Sequence, residues 1–228
     1  TAMNATQANY VTKIKEASSV LLHIINDILD FSKIEAGKMD VESIAFDLHS
    51  ELKKSFSIFS VLTKEKGITF ELDFIETHRF FKGDPYKIMQ IINNFISNAI
   101  KFTAQGGIEL RVSEAINEES NFSTLVFSVR DSGMGIPQEK QAQLFKAFGQ
   151  LDSSVTRKHG GTELGLYICA QLSQMMNGRI DVQSEVDKGS TFSFTITLPK
   201  AQGADLHHEK LSKSFEPLNV MLIEDDST

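Results

Sequence analysis

Apolar residues recur three and four positions apart near the start of the chain: Val11, Ile14, Ser18, Leu21, Ile25, Ile28 and Ser32 fall on one seam, which Leu22 and Leu29 widen. That spacing predicts a packed helix. A face so broad needs partner helices, and a bundle built from two chains supplies them. Gly37 is placed to end the helix. A second helical pattern covers residues 48–66, and then the period changes. Strand-like runs cover 68–75, 108–116, 122–130, 179–184 and 190–198, with helical patterns between them at 84–102 and 164–176. This interleaving predicts an α+β fold, a two-layer α/β sandwich over about residues 40–200, preceded by a long bundle-forming helix. Residues 201–216 are polar and aperiodic, as a linker is. After Pro217 a short apolar run, 220–223, ends in Glu224, Asp225 and Asp226.

Composition narrows the function classes. An apolar content of 41% over 228 residues suits one or two domains with a proper core. The net charge of -7 argues against a nucleic-acid partner, and no run of ~18 apolar residues or secretory leader is present. Cys169 is the one cysteine and lies in an apolar helical run, so it forms no internal disulfide, fits a reducing compartment and is a poor nucleophile. His49, His78, His159, His207 and His208 show no metal-binding spacing.

The candidate chemistry sits in three places. Asp131 to Pro137 reads Asp-Ser-Gly-Met-Gly-Ile-Pro at the end of an apolar strand. A carboxylate there accepts a hydrogen bond from the exocyclic amine of adenine, where guanine presents an acceptor, and Gly133 and Gly135 let the backbone approach a base. Asn94, Asn98 and Lys101 share one face of the helix over 84–102, opposite Ile88, Ile91, Ile92, Phe95 and Ile96. An amide oxygen suits magnesium that keeps water and phosphate ligands; a solvated polar stripe is the plainer alternative. Gly160, Gly161, Thr162, Glu163, Leu164 and Gly165 open the helix over 164–176, and a glycine-rich helix start holds phosphate, though it is also an ordinary way to begin a helix. Between these runs, residues 149–159 are polar and carry Arg157 and Lys158, with Phe145 and Phe148 at the base. This predicts either a lid, whose Arg157 neutralises the terminal phosphate, or a solvated basic patch.

In this order the boxes resemble the catalytic ATP-binding domain of sensor histidine kinases of the GHKL superfamily. Residues 90–103 look like its N box, 131–137 its G1 box, 144–148 its F box and 160–166 its G2 box. The resemblance implies the Bergerat ATP-binding fold, with ATP and Mg2+ as cofactors. It implies Asn98 as magnesium ligand, Asn94 and Lys101 on the phosphates, Phe102 beside the adenine and Asp131 on its amine. Gly133, Gly135, Arg157, Gly161, Thr162, Leu164 and Gly165 complete the expected nucleotide contacts. Residues 28–38 resemble the end of the second helix of the family's dimerisation and phosphotransfer bundle, and 220–226 the first strand and acidic cluster of a receiver domain.

The expected organisation is therefore bundle helix 1–38, catalytic domain 39–200, linker 201–216 and receiver start 217–228. It would be the cytoplasmic portion of a hybrid kinase that pairs through its first helix and passes phosphate to a receiver. Two departures qualify this. The family's phosphoacceptor histidine stands on the first bundle helix and has no counterpart here; His23 belongs to the second and reads as a bundle or surface residue, so no catalytic residue is assigned. Glu163 stands where the family has glycine. Pointing inward, its carboxylate would repel the triphosphate by roughly 4 kcal/mol at 4 Å and an effective dielectric of 20; pointing outward it would stabilise the helix start by up to ~1 kcal/mol. A nucleotide-blind regulatory or dimerising module is the corresponding alternative.

Overall fold

The computed structural model describes residues 4–75, 77–115, 120–146 and 164–203. Helix α1 (Ala5–Glu35) starts in a reciprocal capping box: Asn4 Oδ1 accepts from the Gln7 N–H at 2.8 Å, and Gln7 Oε1 accepts from the Asn4 N–H at 3.0 Å. It stops before Gly37, whose φ of 61° leaves helical geometry. Strand β1 (Ile44–Asp47) leads into α2 (Leu48–Lys66), then β2 (Thr69–Ile75), β3 (Phe80–Gly83) and α3 (Pro85–Phe102). Strands β4 (Gly107–Ala115) and β5 (Phe122–Asp131) follow, then a single turn α4 (Gln138–Gln141), α5 (Gly165–Met175), β6 (Arg179–Glu185) and β7 (Gly189–Pro199).

One layer is a five-stranded sheet of order β2-β4-β5-β7-β6, in which only the β2–β4 pair is parallel. Period-2 patterning decides its inner face: on β7, Phe192, Phe194, Ile196 and Leu198 turn inward, and on β5, Leu125, Phe127 and Val129 do the same. Helices α2, α3 and α5 form the other layer. The apolar stripe of α3, from Ile88 to Ala99, is buried between its neighbours and the sheet. Strands β1 and β3 form a separate antiparallel ribbon, tied to the end of β7 where Phe81 bridges Lys200.

The entry to α3 is held by one carboxylate. Asp84, the N-cap, accepts from the Lys87 N–H at 3.0 Å, the Glu42 N–H at 3.0 Å and the Lys87 ammonium at 2.9 Å. Burial opposes its charge, yet these donors win and hold its carboxyl below the ordinary range. Replacing Asp84 with Ala removes the cap and strands a nearly buried ammonium, so denaturant unfolding should show a loss of about 3 kcal/mol. Because its folded pKa is depressed, this contribution is present above about pH 4 and fades as pH falls through the folded value.

The exposed face of α1 carries Val11, Ile14, Leu21, Leu22, Ile25, Ile28 and Leu29. Its opposite side docks on the sandwich. Asp27 is buried, Asp30 Oδ2 accepts from Gln90 Nε2 at 2.8 Å, and Glu35 Oε1 accepts from the Tyr167 hydroxyl at 2.8 Å. The Phe31 and Tyr167 rings meet with centroids 5.7 Å apart. Cys169 is enclosed beneath this contact, and burial, then the nearby Asp27 charge, pushes its thiol pKa up, which agrees with its reading as an inert core residue.

Candidate functional site

The site grows from the C-terminal half of α3. Because residues four apart share a helix face, Asn94 and Asn98 stack, and Asn94 Oδ1 accepts from Asn98 Nδ2 at 3.0 Å. This bond turns the Asn98 carbonyl oxygen away from Asn94. Lys101, one turn on, lies with its ammonium 5.0 Å from the centre of the Phe102 ring, a cation–π contact that holds both side chains at the helix end. The Lys66 ammonium bonds the Ile100 and Lys101 carbonyls, where the helix dipole favours a cation.

Strand β5 delivers Asp131 to the same corner. The side chain is only 6% exposed, and its Oδ1 accepts from the Gly133 N–H at 2.8 Å. Burial raises its pKa above the ordinary carboxylate value, and the Gly133 and Ser190 main-chain amides only partly offset that. Gly133 passes beneath the end of α3 so closely that a Cβ would come within 2.5 Å of the Phe102 carbonyl oxygen. Gly135 has a φ of 66°, and a Cβ there would collide with the Glu185 carbonyl.

The third element arrives with α5. A Cβ on Gly165 would fall on the Asn94 amide, so the start of α5 is pressed against the amide face of α3. Leu164 is the N-cap residue of α5 and makes no side-chain hydrogen bond, so among the described residues no side chain takes the first N–H groups of this helix. Asn94, Asn98, Lys101, Phe102, Asp131, Gly133, Gly135, Leu164 and Gly165 therefore gather where the C-terminal half of α3, the end of β5 and the start of α5 meet. Arg157, Gly161, Thr162 and Glu163, the lid over 149–159, Phe148 and the receiver start lie outside the described residues.

Ser190 and Ser184 escaped the sequence reading. The Ser190 amide steadies Asp131, while Ser184 Oγ lies 2.9 Å from Ser190 Oγ and accepts from the Ile136 N–H at 2.7 Å. The signal was there: Ser190 is the one polar residue on the inward parity of β7, before Phe192, Phe194, Ile196 and Leu198. At this corner an open recess of about 430 Å³ is lined by Asp131, Ser184 and Ser190 together with Arg130, Gln183 and Lys188. In register, Arg130, Thr191 and Gln183 stand abreast on the outer face of the sheet, so the recess runs from the Asp131 corner onto that face.

Residues 83–202 match the HATPase_c family, described as histidine kinase-, DNA gyrase B- and HSP90-like ATPases. The chain belongs to the HATPase_c family. It is 41% identical over 199 residues to the signal transduction histidine-protein kinase BarA of Escherichia coli K12, covering 87% of this chain and 22% of BarA. It is 44% identical over 198 residues to hybrid signal transduction histidine kinase B of Dictyostelium discoideum, covering 86% of this chain and 10% of that protein. The chain thus spans about a fifth of the length of BarA and about a tenth of that of the Dictyostelium kinase. Full-length ShkA in complex with AMPPNP superposes with a TM-score of 0.72 at 30% identity, covering 89% of this chain and 41% of that one. The HATPase_c domain accounts for the two-layer sandwich and makes this an ATP-binding catalytic domain of the histidine kinase type. No helix among the described residues is long and apolar enough to cross a membrane.

Proposed function

We propose that the cleft binds Mg-ATP, and that the intact protein is a hybrid sensor histidine kinase. The observation that carries the reading is the convergence on α3, where the Phe102 carbonyl meets Gly133 and Asn94 meets Gly165. Asp131 accepts from the adenine amine, the backbone at Gly133 and Gly135 lies along the base, and Phe102 flanks it. Asn94, Lys101 and the uncapped start of α5 hold phosphate oxygens, with Gly161, Thr162 and Arg157 joining them from the segment before α5.

The donor set fits magnesium in particular. Among the described residues no cluster of three or more His, Cys, Asp or Glu side chains forms a metal cage. The Asn98 carbonyl oxygen offers a single hard ligand, as a cation that keeps water and phosphate ligands needs. Bound Mg-ATP would supply the γ-phosphoryl group to a histidine nitrogen on another bundle helix, the bond to the β-phosphate oxygen breaking to leave ADP, and the phosphohistidine would pass the group to a receiver aspartate, freeing the histidine. In this arrangement residues 1–38 belong to the dimerisation bundle, 39–200 to the catalytic domain, 201–216 to a linker and 217–228 to the receiver. Two copies pair through the apolar seam of α1, on the cytoplasmic side.

Titration with a fluorescent ATP analogue tests this. The unaltered chain should bind saturably and more tightly with magnesium, and Asn98→Ala should remove the magnesium dependence with at least a tenfold loss of affinity. The nucleotide-blind reading, with Glu163 as resident anion, predicts binding only after Glu163→Gly; that outcome would overturn the proposal.

A further inference from the structure

The corner that ends β5 is held by two side chains from other elements. Ser132 to Pro137 lie outside helix and strand and include Gly133 and Gly135, so the shape of this segment has to be set by its neighbours. Both main-chain groups of Ile136 go to side chains. The Ile136 N–H donates to Ser184 Oγ at 2.7 Å, and Gln141 Nε2 donates to the Ile136 carbonyl at 2.9 Å. The other hydrogen of the Gln141 amide goes to the Ser184 carbonyl at 2.8 Å. With the Asp187 N–H on the Met134 carbonyl at 2.9 Å, the corner is sewn to the end of β6 and the turn after it.

Ser184 also reaches Asp131 from the opposite side. Its hydroxyl donates to the Gly189 carbonyl at 3.0 Å, so Ser190 Oγ, 2.9 Å away, donates to it in turn. One bond given and two accepted use the full capacity of the hydroxyl. The Gly189 carbonyl and the Ser190 N–H belong to one planar peptide and point to opposite sides of it. That N–H is the one that bonds Asp131. Holding the carbonyl therefore aims the amide, and a donor on the carbonyl polarises the N–H and strengthens it. The second main-chain donor to Asp131, the Gly133 N–H at 2.8 Å, lies three residues before Ile136 on the same corner. Ser184 is thus tied to both main-chain donors of this carboxylate.

We infer that Ser184 and Gln141 are positioning residues for the nucleobase: together they set the direction of the Asp131 carboxylate and the level of the Gly133–Gly135 backbone against adenine. The inference rests on the reading of the cleft as an ATP site. Both residues act through Asp131 and the glycine backbone, so they govern the choice of base, whereas the hold on the triphosphate belongs to Asn94, Lys101 and the start of α5.

Paired titrations of the full chain with a fluorescent ATP analogue and the corresponding GTP analogue, with magnesium and well below the melting temperature, test this. Ser184→Ala should weaken the ATP analogue about tenfold and the GTP analogue by about twofold at most, so that the preference for adenine shrinks. Ser184→Thr, which keeps the hydroxyl, should restore the preference. Gln141→Ala should lower it about threefold, and the double variant should lose no more than Ser184→Ala alone, because both side chains act through Ile136. A purely structural role would weaken both analogues alike or lower the melting temperature alone; either result would overturn the inference. Should Ser184→Ala not fold, Gln141→Ala, half-buried on the single turn α4, decides by the same ratio. No binding of the ATP analogue by the unaltered chain would overturn the reading of the cleft and this inference with it, whereas binding by the unaltered chain with the same preference in the variants would overturn this inference alone.

Discussion

Asp131→Asn weakens binding of an ATP analogue by about 30-fold, while the melting temperature of the nucleotide-free protein does not fall. The first effect follows from replacing an ionised acceptor with an amide. A hydrogen bond to a charged group contributes about 1.5–3 kcal/mol, and the asparagine must also find a place for two donors beside the adenine amine. The second follows from the raised pKa. The fold disfavours the charge on Asp131, chiefly through burial. Its stabilising effect is therefore fullest below the unfolded pKa, near 4, and is lost as pH rises through the higher folded value. At neutral pH the nucleotide-free protein carries a charge that it would be more stable without. Calorimetry of the free variant and fluorescence titration of the same sample separate the two effects. A pH series adds a third readout: nucleotide affinity should drop as pH falls through the raised pKa of Asp131, above the range of an ordinary aspartate. If Asp131→Asn bound as tightly as the parent, Asp131 would not be the adenine acceptor.

Gly135→Ala costs about 3 kcal/mol of stability, and the nucleotide cleft loses its corner with it. Two costs add here. A left-handed φ of 66° is unfavourable for an L residue by roughly 1–2 kcal/mol, and the new methyl collides with the Glu185 carbonyl. The obstacle is main chain in a strand, which cannot rotate away as a side chain would, and such overpacking costs about 1–3 kcal/mol. Gly37→Ala is the matched comparison. Its φ of 61° is nearly the same, but nothing lies within 4 Å of the added methyl, so only the conformational cost of about 1 kcal/mol should appear. Equal losses from the two variants in denaturant unfolding would mean that the corner is not closely packed.

Most of the sandwich could be read in the sequence because its signals are periodic. The strand expected over 122–130 is β5, that over 190–198 is β7, and the helix over 48–66 has the bounds of α2. What escaped was short or irregular. The four-residue strands β1 and β3 offer too few positions for an alternation to show, and both owe their form to pairing with each other across 32 intervening residues, from Asp47 to Phe80. The helix α4 is a single turn without a side-chain cap. Within the cleft, motif and spacing singled out Asn94, Asn98 and Asp131, whose chemistry depends on residue type. Ser190 was missed because its contribution to Asp131 is a main-chain amide, which any residue but proline supplies. The docking of α1 was missed too, since the sequence reading rested on the apolar seam alone, whereas Asp30 and Glu35 on the other side meet Gln90 and Tyr167.

That docking gives the long helix mechanical leverage. Its last turns hold two elements at once: Asp30 reaches Gln90, one turn before Asn94, and Glu35 reaches Tyr167, two residues after Gly165. An axial rotation of α1 would strain both hydrogen bonds at once, on the very elements that carry Asn94 and Gly165.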